Sequence, residues 1–381
     1  MKGEHTVRKQ IPIPQDDSMR YTILSLIAIC GEFPVDQLSR LTGGERYKEN
    51  VIKDLKAYKW IHTYYANQYR AFRLSRNGKT MLLAKNPNRF QFWLTGANDT
   101  NHLKSEIMRR LRLRRIAEAT VTMMNAGVRI YRDEKPDVFA GKPLSTDFSI
   151  IEPAFFNSRE IKAMGTVTVK IHGARSVGVL LAEDDLFVVY NLGGALMRWD
   201  YKAEMRTKAL LTHTLCFERL REQYSSDCVR ALLLGNTMEM AYKVLTIASN
   251  TPYTIHEDSY EHFYFLTNDK QGERLLQLLC NRFLCEQLND ILMTDLEEQN
   301  PASAIENDAF TEDGVPVLFA HTFNLPRIKR FKRGLDMHGV QGMIICFDYQ
   351  KEVLERYMGE RVCFQTISFA KWEREFFGKT E

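Results

Sequence analysis

The chain has 381 residues, of which 44% are hydrophobic and 11% aromatic, and its formal net charge is +4. This composition supports two or three folded domains and excludes an intrinsically disordered chain. Residues 1–130 contain 23 Lys/Arg and 11 Asp/Glu, whereas residues 131–381 contain 29 and 37, so a basic part precedes an acidic one. Such a division is typical of a nucleic-acid-binding module joined to a part with another role.

Cellular location is predicted from what the sequence lacks. The first twenty residues are polar and include Pro12 and Pro14, which is unlike a secretory signal. The longest strongly apolar run, Tyr21 to Cys30, is about half the length of a membrane-spanning helix. The seven cysteines show no CxxC spacing. We therefore expect a cytoplasmic protein with reduced, mostly buried thiols and no membrane partner.

The first 95 residues show helical periodicity that changes to strand periodicity after Trp60. The predicted elements are a helix from Ser18 to about Cys30, a short helix over 35–41, a helix over 45–57, strands over 61–65 and 69–74, and a helix beginning at Ser75. This order is that of a winged helix-turn-helix, in which the third helix enters the major groove of DNA. We predict a winged-helix DNA-binding domain over residues 1–95.

The motifs LTGG at 41–44 and LSRNG at 74–78 resemble those of winged-helix domains. The chain is similar to the replication-relaxation proteins of bacterial plasmids and integrative elements, which pair such a domain with an α/β region. The resemblance covers about the first third of the chain. It implies an accessory factor in plasmid replication or mobilisation, with a relaxase or replication protein as a partner.

Twelve surplus positive charges in residues 1–130 favour double-stranded DNA as the partner of this domain. The alternative is a winged helix that binds protein or serves as a scaffold. The base-edge or groove candidates are Arg46, Lys48, Asn50 and Lys53, and the phosphate or wing candidates are Lys56, Tyr65, Tyr69, Arg70 and Arg73. Winged helices commonly recognise two half-sites, so a homodimer is also expected.

Residues 96–127 form a predicted connecting helix, running from about His102 to Asn125. Arg109, Arg110, Arg112, Arg114 and Arg115 encircle it, at about 0, 100, 300, 140 and 240°. A single DNA surface cannot contact all five, so some must pair with carboxylates. The helix is therefore either a spacer between domains or an extended phosphate contact through Arg109, Arg110 and Arg112.

Residues 128–381 alternate apolar strands with helices, and a sub-boundary is expected near residue 225. Predicted elements are a strand over 148–151, a hairpin over 177–181 and 186–190, a helix over 203–222, and strand–helix pairs at 229–234/238–248, 262–266/272–288, 315–320/325–335 and 343–347/350–357. This pattern predicts a mixed, largely parallel α/β domain. Its strand ends carry Asn236, Asn268, Asp269, His321 and Asp348, as helix caps or as a ligand site.

One catalytic hypothesis remains. Asp137 after Pro136, followed by Glu160 and Lys162, matches the loose PD…(D/E)xK pattern of metal-dependent nucleases. In that case Asp137 and Glu160 would bind Mg²⁺ while Lys162 orients water, with Glu160 and Lys162 on one face of a strand. Asn157 and Ser158 before them are more typical of a helix cap than of a strand interior. The alternative is a surface ion pair, and no cofactor is expected otherwise.

Charge is also segregated inside the acidic part. Residues 283–326 contain nine carboxylates and no Lys or Arg, and residues 327–333 then contain five Lys/Arg. Either the acidic stretch folds back on the basic helix, or it gates a second nucleic-acid or protein contact. A further alternative for the whole chain is a regulator that responds to a ligand or a partner through this half.

Overall fold

The computed structural model describes residues 13–96, 106–139, 148–163, 174–248, 251–255, 259–298 and 303–378, with 162 and 163 described by their backbone alone. The chain divides into two compact units. Unit 1 comprises residues 1–121 and 131–133, and unit 2 comprises residues 122–130 and 134–381.

Unit 1 is a helical unit with one small sheet. Its elements are α1 (Met19–Cys30), β1 (Phe33–Pro34), a 3-10 helix (Val35–Arg40), α2 (Glu45–Ala57), β2 (Ile61–Ala66), β3 (Tyr69–Leu74), α3 (Arg76–Lys85), α4 (Pro87–Leu94) and α5 (Ile107–Asn125) as far as Val121. These bounds confirm the predicted helices and hairpin, although the short second helix is a 3-10 helix. The sequence interpretation missed β1 and α4, and residues 102–105 of the predicted connecting helix lie outside the described residues.

Local capping explains where these elements begin. The Ser18 hydroxyl accepts a hydrogen bond from the Tyr21 N–H at 3.3 Å, and the Ser75 hydroxyl accepts one from the Gly78 N–H at 3.1 Å. The hairpin turns at Asn67 and Gln68, whose φ angles of 53° and 59° suit the tight turn of a two-residue hairpin. The three strands form an antiparallel sheet in the order β1-β3-β2.

Unit 2 contains two five-stranded sheets. The first has the order β4 (Ala154–Asn157), β5 (Gly178–Leu181), β6 (Leu186–Gly193), β7 (Val229–Gly235), β8 (Phe263–Thr267). The second has the order β13 (Val362–Ile367), β12 (Gly342–Phe347), β11 (Pro316–Phe319), β10 (Ala309–Phe310), β9 (Glu297–Glu298). One core joins them, because Leu233 of the first sheet and Ile344 of the second belong to the same buried cluster.

The helices of unit 2 follow most of its strands. They are α6 (Ser158–Ala163), α7 (Tyr201–Thr212), a π-helix (His213–Arg219), α8 (Met238–Thr246), α9 (Lys270–Leu279), α10 (Arg282–Leu292), α11 (Leu325–His338), α12 (Lys351–Met358) and α13 (Phe369–Phe377), with 3-10 turns at Ser226–Cys228 and Asp348–Gln350. The helix predicted over 272–288 is in fact two helices, because the Asn281 side chain accepts a hydrogen bond from the Leu284 N–H and starts α10.

The predicted mixed α/β character of this part is confirmed, but its sheets are not largely parallel. Among the described strands of unit 2, four neighbouring pairs are parallel and four are antiparallel. The β5–β6 hairpin was predicted, but short apolar strands look alike in parallel and antiparallel arrangements, so the antiparallel pairing of β4 with β5 and of β9 and β11 with β10 was not. The predicted strand over 148–151 is not a strand either.

Two further expectations are addressed by these elements. None of the helices in the described ranges combines the length and the apolar character needed to cross a membrane. All seven cysteines are free thiols, of which Cys30, Cys216 and Cys346 are buried and Cys363 is exposed. The predicted burial of most thiols therefore holds for only part of the set.

Candidate nucleic-acid interface

Helix α2 separates polar from apolar residues around its axis. With Arg46 at zero, Asn50 lies at about 40°, Lys53 at about 340° and Lys56 at about 280°. These four side chains are exposed. Val51, at about 140°, belongs to the opposite face, which is buried together with Ile52 and Leu55. The outer face of α2 therefore presents three cations and an amide to solvent.

Lys48 does not belong to this outer face, and its assignment as a base contact is wrong. It lies at about 200° on the same wheel, in the middle of the buried face, and is only 2% exposed. Its ammonium donates to the carbonyls of Ser39 and Leu41 at 3.3 and 3.2 Å, and it pairs with Glu45 at 2.7 Å. Lys48 therefore closes the end of the 3-10 helix, and the helical wheel of the sequence already contained this signal.

The β2–β3 hairpin has two faces with different roles. Tyr65 and Arg70 are direct cross-strand partners, and both are exposed, with the guanidinium 5.6 Å from the ring. Tyr69 and Arg73 point to the other face, because side chains alternate along a strand. Only the first face of the hairpin tip remains available to a ligand.

On that second face, Tyr69 and Arg73 are covered, so their assignment as wing contacts is wrong. Tyr69 is 6% exposed, and the guanidinium of Arg110 lies 4.4 Å from its ring. Burial is the main cause that raises the pKa of Tyr69 far above its usual value. The Nε of Arg73 donates to Glu32 at 2.6 Å, and its guanidinium lies 3.8 Å from the Tyr64 ring.

Arg110 is at the centre of this covered face, so its prediction as a phosphate contact is wrong as well. Its side chain is fully buried and pairs with the equally buried Glu32 at 2.7 Å. Its guanidinium also donates hydrogen bonds to the carbonyls of Ala66 and Tyr69 at 2.9 and 3.1 Å, so its N–H donors are engaged inside the protein. Arg114 pairs with Asp36 and Glu118.

Arg109 and Arg112, the other two predicted phosphate contacts, lie among exposed residues of α5. Arg109 pairs with Glu106 at 3.1 Å while its side chain remains 57% exposed. Of the five arginines that encircle α5, the structure therefore commits Arg110 and Arg114 to carboxylates inside unit 1, as the predicted distribution around the helix required.

The residues that remain define one surface, which we call the basic face. Its members are Arg46, Asn50, Lys53 and Lys56 of α2 and Tyr65 and Arg70 of the hairpin. The Lys56 ammonium lies 5.5 Å from the Phe72 ring. Phe72 alternates onto the same face of β3 as Arg70, so α2 and the exposed hairpin face lie on one side of the sheet. Positive charge and one aromatic ring are thus collected on one side of unit 1.

The start of α2 adds donors to this charge. The N-cap residue is Gly44, and no side chain caps the first turn. Gly43 before it has a φ of 88°, a conformation that glycine adopts without strain. Backbone N–H groups at the start of a helix attract anions, so the first turn of α2 can donate to a phosphate.

The nuclease hypothesis finds little support in unit 2. Glu160 lies in helix α6, so the prediction that Glu160 and Lys162 alternate along a strand is wrong. The Glu160 carboxylate accepts from the Lys135 ammonium at 2.9 Å and from the Asn157 N–H at 3.0 Å, and the residue is 3% exposed. Asp137 is exposed, and the side chain of Lys162 lies outside the described residues. No group of three or more metal-ligating side chains occurs in the part of the chain that the structure describes.

The polar residues at the strand ends mostly hold the fold together. The Asn268 amide donates to Asn191 and to Asn236, both at 3.1 Å, so three strand ends are tied to one another. Asp269 caps α9 by accepting from the Gly272 N–H at 3.1 Å. The Asp348 carboxylate accepts hydrogen bonds from the N–H groups of Tyr349 at 2.8 Å and of Phe369 at 3.4 Å. His321 differs from these residues because its ring lines a cavity.

The acidic stretch folds back on the basic helix, as the simpler interpretation predicted. Arg327 donates to Glu306 and to Asp308, both at 2.8 Å, and Arg330 also pairs with Glu306. The two guanidinium groups hold the pKa of Glu306 below its usual value in spite of its partial burial. These contacts account for part of the charge in both segments without a nucleic-acid partner.

Comparison of the chain with protein-family models, with curated proteins and with solved structures found no match. The class to which the protein belongs is therefore inferred from the geometry of its units and from the motifs in its sequence.

Proposed function

We propose that unit 1 is a winged-helix module that binds double-stranded DNA, with α2 in the major groove and the β2–β3 hairpin along the neighbouring backbone or groove. The element order of α1, the 3-10 helix, α2 and the hairpin supports this arrangement. The observation that carries the proposal is the segregation of cations. Arg73 and Arg110 form ion pairs with the buried Glu32, whereas the cationic side chains of the basic face are exposed to solvent.

Roles within the basic face follow from position. Arg46, Asn50 and Lys53 lie within about 60° of one another on α2, so they face the base edges once the helix is in the groove. Lys56, Tyr65 and Arg70 lie toward the hairpin and contact phosphates or sugars. The first group specifies the sequence and the second positions the protein.

For the biological role, we propose a sequence-specific accessory factor in replication or mobilisation of a plasmid or integrative element, working in the cytoplasm. The motifs at 41–44 and 74–78 and their similarity to replication-relaxation proteins support this part. We propose two further partners for this role, namely a relaxase or replication protein and a second copy of the chain. Magnesium has no part in the proposal.

Binding to duplex DNA is tested by fluorescence anisotropy over a series of salt concentrations. The full chain is compared with Lys56→Glu/Arg70→Glu, which reverses the charge of two proposed phosphate contacts at exposed positions, and with Lys202→Glu/Arg206→Glu. The second double variant is a matched control, because it changes the net charge equally at two exposed positions of α7. Each phosphate contact contributes about 0.9 to the salt slope, so the first variant is expected to lose up to about 2 units of slope and at least about tenfold in affinity at ~0.1 M salt. Equal losses of affinity in both variants would show that only the net charge matters and would refute the basic face as the DNA-binding surface.

Sequence specificity is tested separately by selecting bound duplexes from random DNA with the full chain and with Asn50→Ala. An amide that contacts adenine discriminates by about 1–3 kcal/mol. The variant should therefore lose preference at one position while its salt slope stays unchanged. If the full chain enriches no motif, the binding is non-specific and the sequence-specific role is refuted.

A further inference from the structure

Unit 2 contains a cavity of about 330 Å³ that DNA binding does not use. It lies at the amino-terminal ends of β6, β7 and β8, where Asp185, Arg230 and Tyr264 line it. Its other wall carries Asp308, which precedes β10, His321, which follows β11, and Arg327 of α11. In the first sheet this edge lies opposite Asn236 and Asn268, whereas His321, just after β11, is one of the polar strand-end residues predicted from the sequence. A volume of this size falls at the lower end of the range for small-molecule sites.

The two walls each carry a guanidinium beside a carboxylate. On the first wall, Arg230 pairs with Asp185 at 2.6 Å and donates to the Tyr264 hydroxyl at 2.8 Å. On the second wall, Arg327 donates from Nη2 to Asp308 at 2.8 Å, and Asp308 accepts from the Phe319 N–H at 2.7 Å. Each wall therefore carries an ion pair, and Arg327 is in addition shared with Glu306 at 2.8 Å.

The Asp185 carboxylate is not fully compensated by Arg230. Burial raises the pKa of Asp185 to about 6, although Arg230 lowers it, and the neighbouring Asp184 adds repulsion. Arg282, which also lines the cavity, lowers the pKa of Asp185 as well, yet that pKa stays above its ordinary value, so a further cationic group beside Asp185 would stabilise the charged form. Asp185 thus marks the wall at which a positively charged part of a ligand is stabilised.

His321 contributes to the lining of the cavity a buried polar atom that has no hydrogen-bond partner in the described part of the chain. The residue is 3% exposed, and its Nδ1 has no hydrogen-bond partner among the described residues. Burial, together with the charge of Arg327, lowers the pKa of His321 to about 4, so the ring is neutral at physiological pH. Its backbone carbonyl is held by the Gln350 amide at 2.9 Å. A buried ring nitrogen of this kind needs a polar partner.

We propose that this cavity binds a small zwitterion of the free amino acid class, with its ammonium group at Asp185, its carboxylate at Arg327, and a hydrogen bond to His321. Three guanidinium groups and three carboxylates line the cavity, so a ligand with a net charge would leave one charge uncompensated. Planar guanidinium groups suit carboxylates, and carboxylates suit ammonium groups. Leu279 and Phe319 line the same space and can contact the hydrocarbon part of the ligand.

The test uses the full chain and the twenty free L-amino acids, first by thermal shift at about 10 mM each and then by titration calorimetry of those that stabilise it. Every amino acid that binds is compared with its N-acetyl derivative and with its amide, which remove one charge each. We expect at least one free amino acid to bind, and both derivatives to bind at least about tenfold more weakly, or about 1.4 kcal/mol.

Asp185→Asn keeps the size of the side chain and should weaken binding of the free amino acid at least about tenfold, while binding of its N-acetyl derivative, which has no ammonium group, changes less. Asp227→Asn, at an exposed site outside the cavity, is the matched control and should bind as the parent chain does. If no amino acid binds, if an N-acetyl derivative binds as well as the free form, or if Asp185→Asn leaves affinity unchanged, the proposal is overturned.

Discussion

Replacing Arg110 by Met tests how unit 1 uses its arginines. Glu32 and Arg110 are both fully buried, and the carboxylate of Glu32 accepts from Arg110 at 2.7 Å and from Arg73 at 2.6 Å. Arg110→Met leaves this buried carboxylate with Arg73 as its remaining charged partner. It also removes the donors to the carbonyls of Ala66 and Tyr69 in the hairpin turn region.

The expected cost follows from those losses. Two carbonyls lose hydrogen bonds that contribute about 1 kcal/mol each. Removing one partner of a buried ion pair costs about 3–5 kcal/mol in all, which is a large part of the stability of a domain. Arg109→Met is the matched control, because Arg109 makes an exposed pair with Glu106 and its loss should cost less than about 1 kcal/mol.

Amide hydrogen exchange measured by mass spectrometry reports unit 1 separately from unit 2. Peptides from β2 and β3 should exchange faster in Arg110→Met by a factor that corresponds to about 3–5 kcal/mol, and Arg109→Met should exchange as the parent does. Adding Glu32→Gln to Arg110→Met should recover part of the loss, because the buried charge is then gone.

The same variants separate a structural arginine from a phosphate contact. At a temperature where Arg110→Met is still folded, the salt slope of DNA binding should equal that of the parent chain. A lower slope with unchanged hydrogen exchange would refute the reasoning, because it would mean that Arg110 contacts DNA and does not hold the hairpin.

Three further predictions concern single residues. Burial raises the pKa of Glu204 to about 7, so the folded state holds this proton more tightly than the unfolded chain. The protonated Glu204 side chain stabilises the folded state fully below about pH 4.5, and this contribution, on the order of 3 kcal/mol, is lost as pH rises through 7. Glu204→Gln should therefore flatten the dependence of the melting temperature on pH between about 4.5 and 7. Parallel curves for the variant and the parent chain would contradict this prediction. Gln68→Gly should stabilise the hairpin by roughly 0.5–1 kcal/mol and slow its amide exchange accordingly, because Gln68 has a φ of 59°, which glycine adopts without strain. Faster amide exchange in the variant would contradict this prediction. Gly78→Ala should destabilise unit 1 by about 1–3 kcal/mol, because a Cβ there would lie 2.3 Å from the Trp60 carbonyl oxygen; an unchanged rate of exchange in α3 would argue against this packing.

Periodicity was most informative where the cause of structure is local. Ser18 and Ser75 start their helices through their own hydroxyl groups, so both starts were predictable. Two signals were present in the sequence but not used. The wheel of α2 places Lys48 among Val51 and Leu55, and the alternation of β3 places Tyr69 and Arg73 on the face opposite Arg70.

Other features depended on partners far along the chain. Glu32 and Arg110 are separated by 78 residues, and nothing in either segment selects the other. The same holds for Asp185 with Arg230 and for the cavity that they share with His321, to which separate strands and helices contribute. The helix-cap pattern at Asn157 and Ser158 indicated α6, whereas the ion pair of Glu160 with Lys135, 25 residues away, was not predictable from the local sequence.

The sequence alone determined the uneven distribution of charge, the helices and hairpin of unit 1, and the outer face of α2, because all of these arise from residues within a few positions of one another. The tertiary structure decided which of the cations stay exposed. It did so by burying Arg73 and Arg110 against Glu32, since a buried carboxylate must be paired and the cations within reach satisfy it. It also decided the mixed direction of the strands and the position of the cavity in unit 2, because both depend on which strands become neighbours.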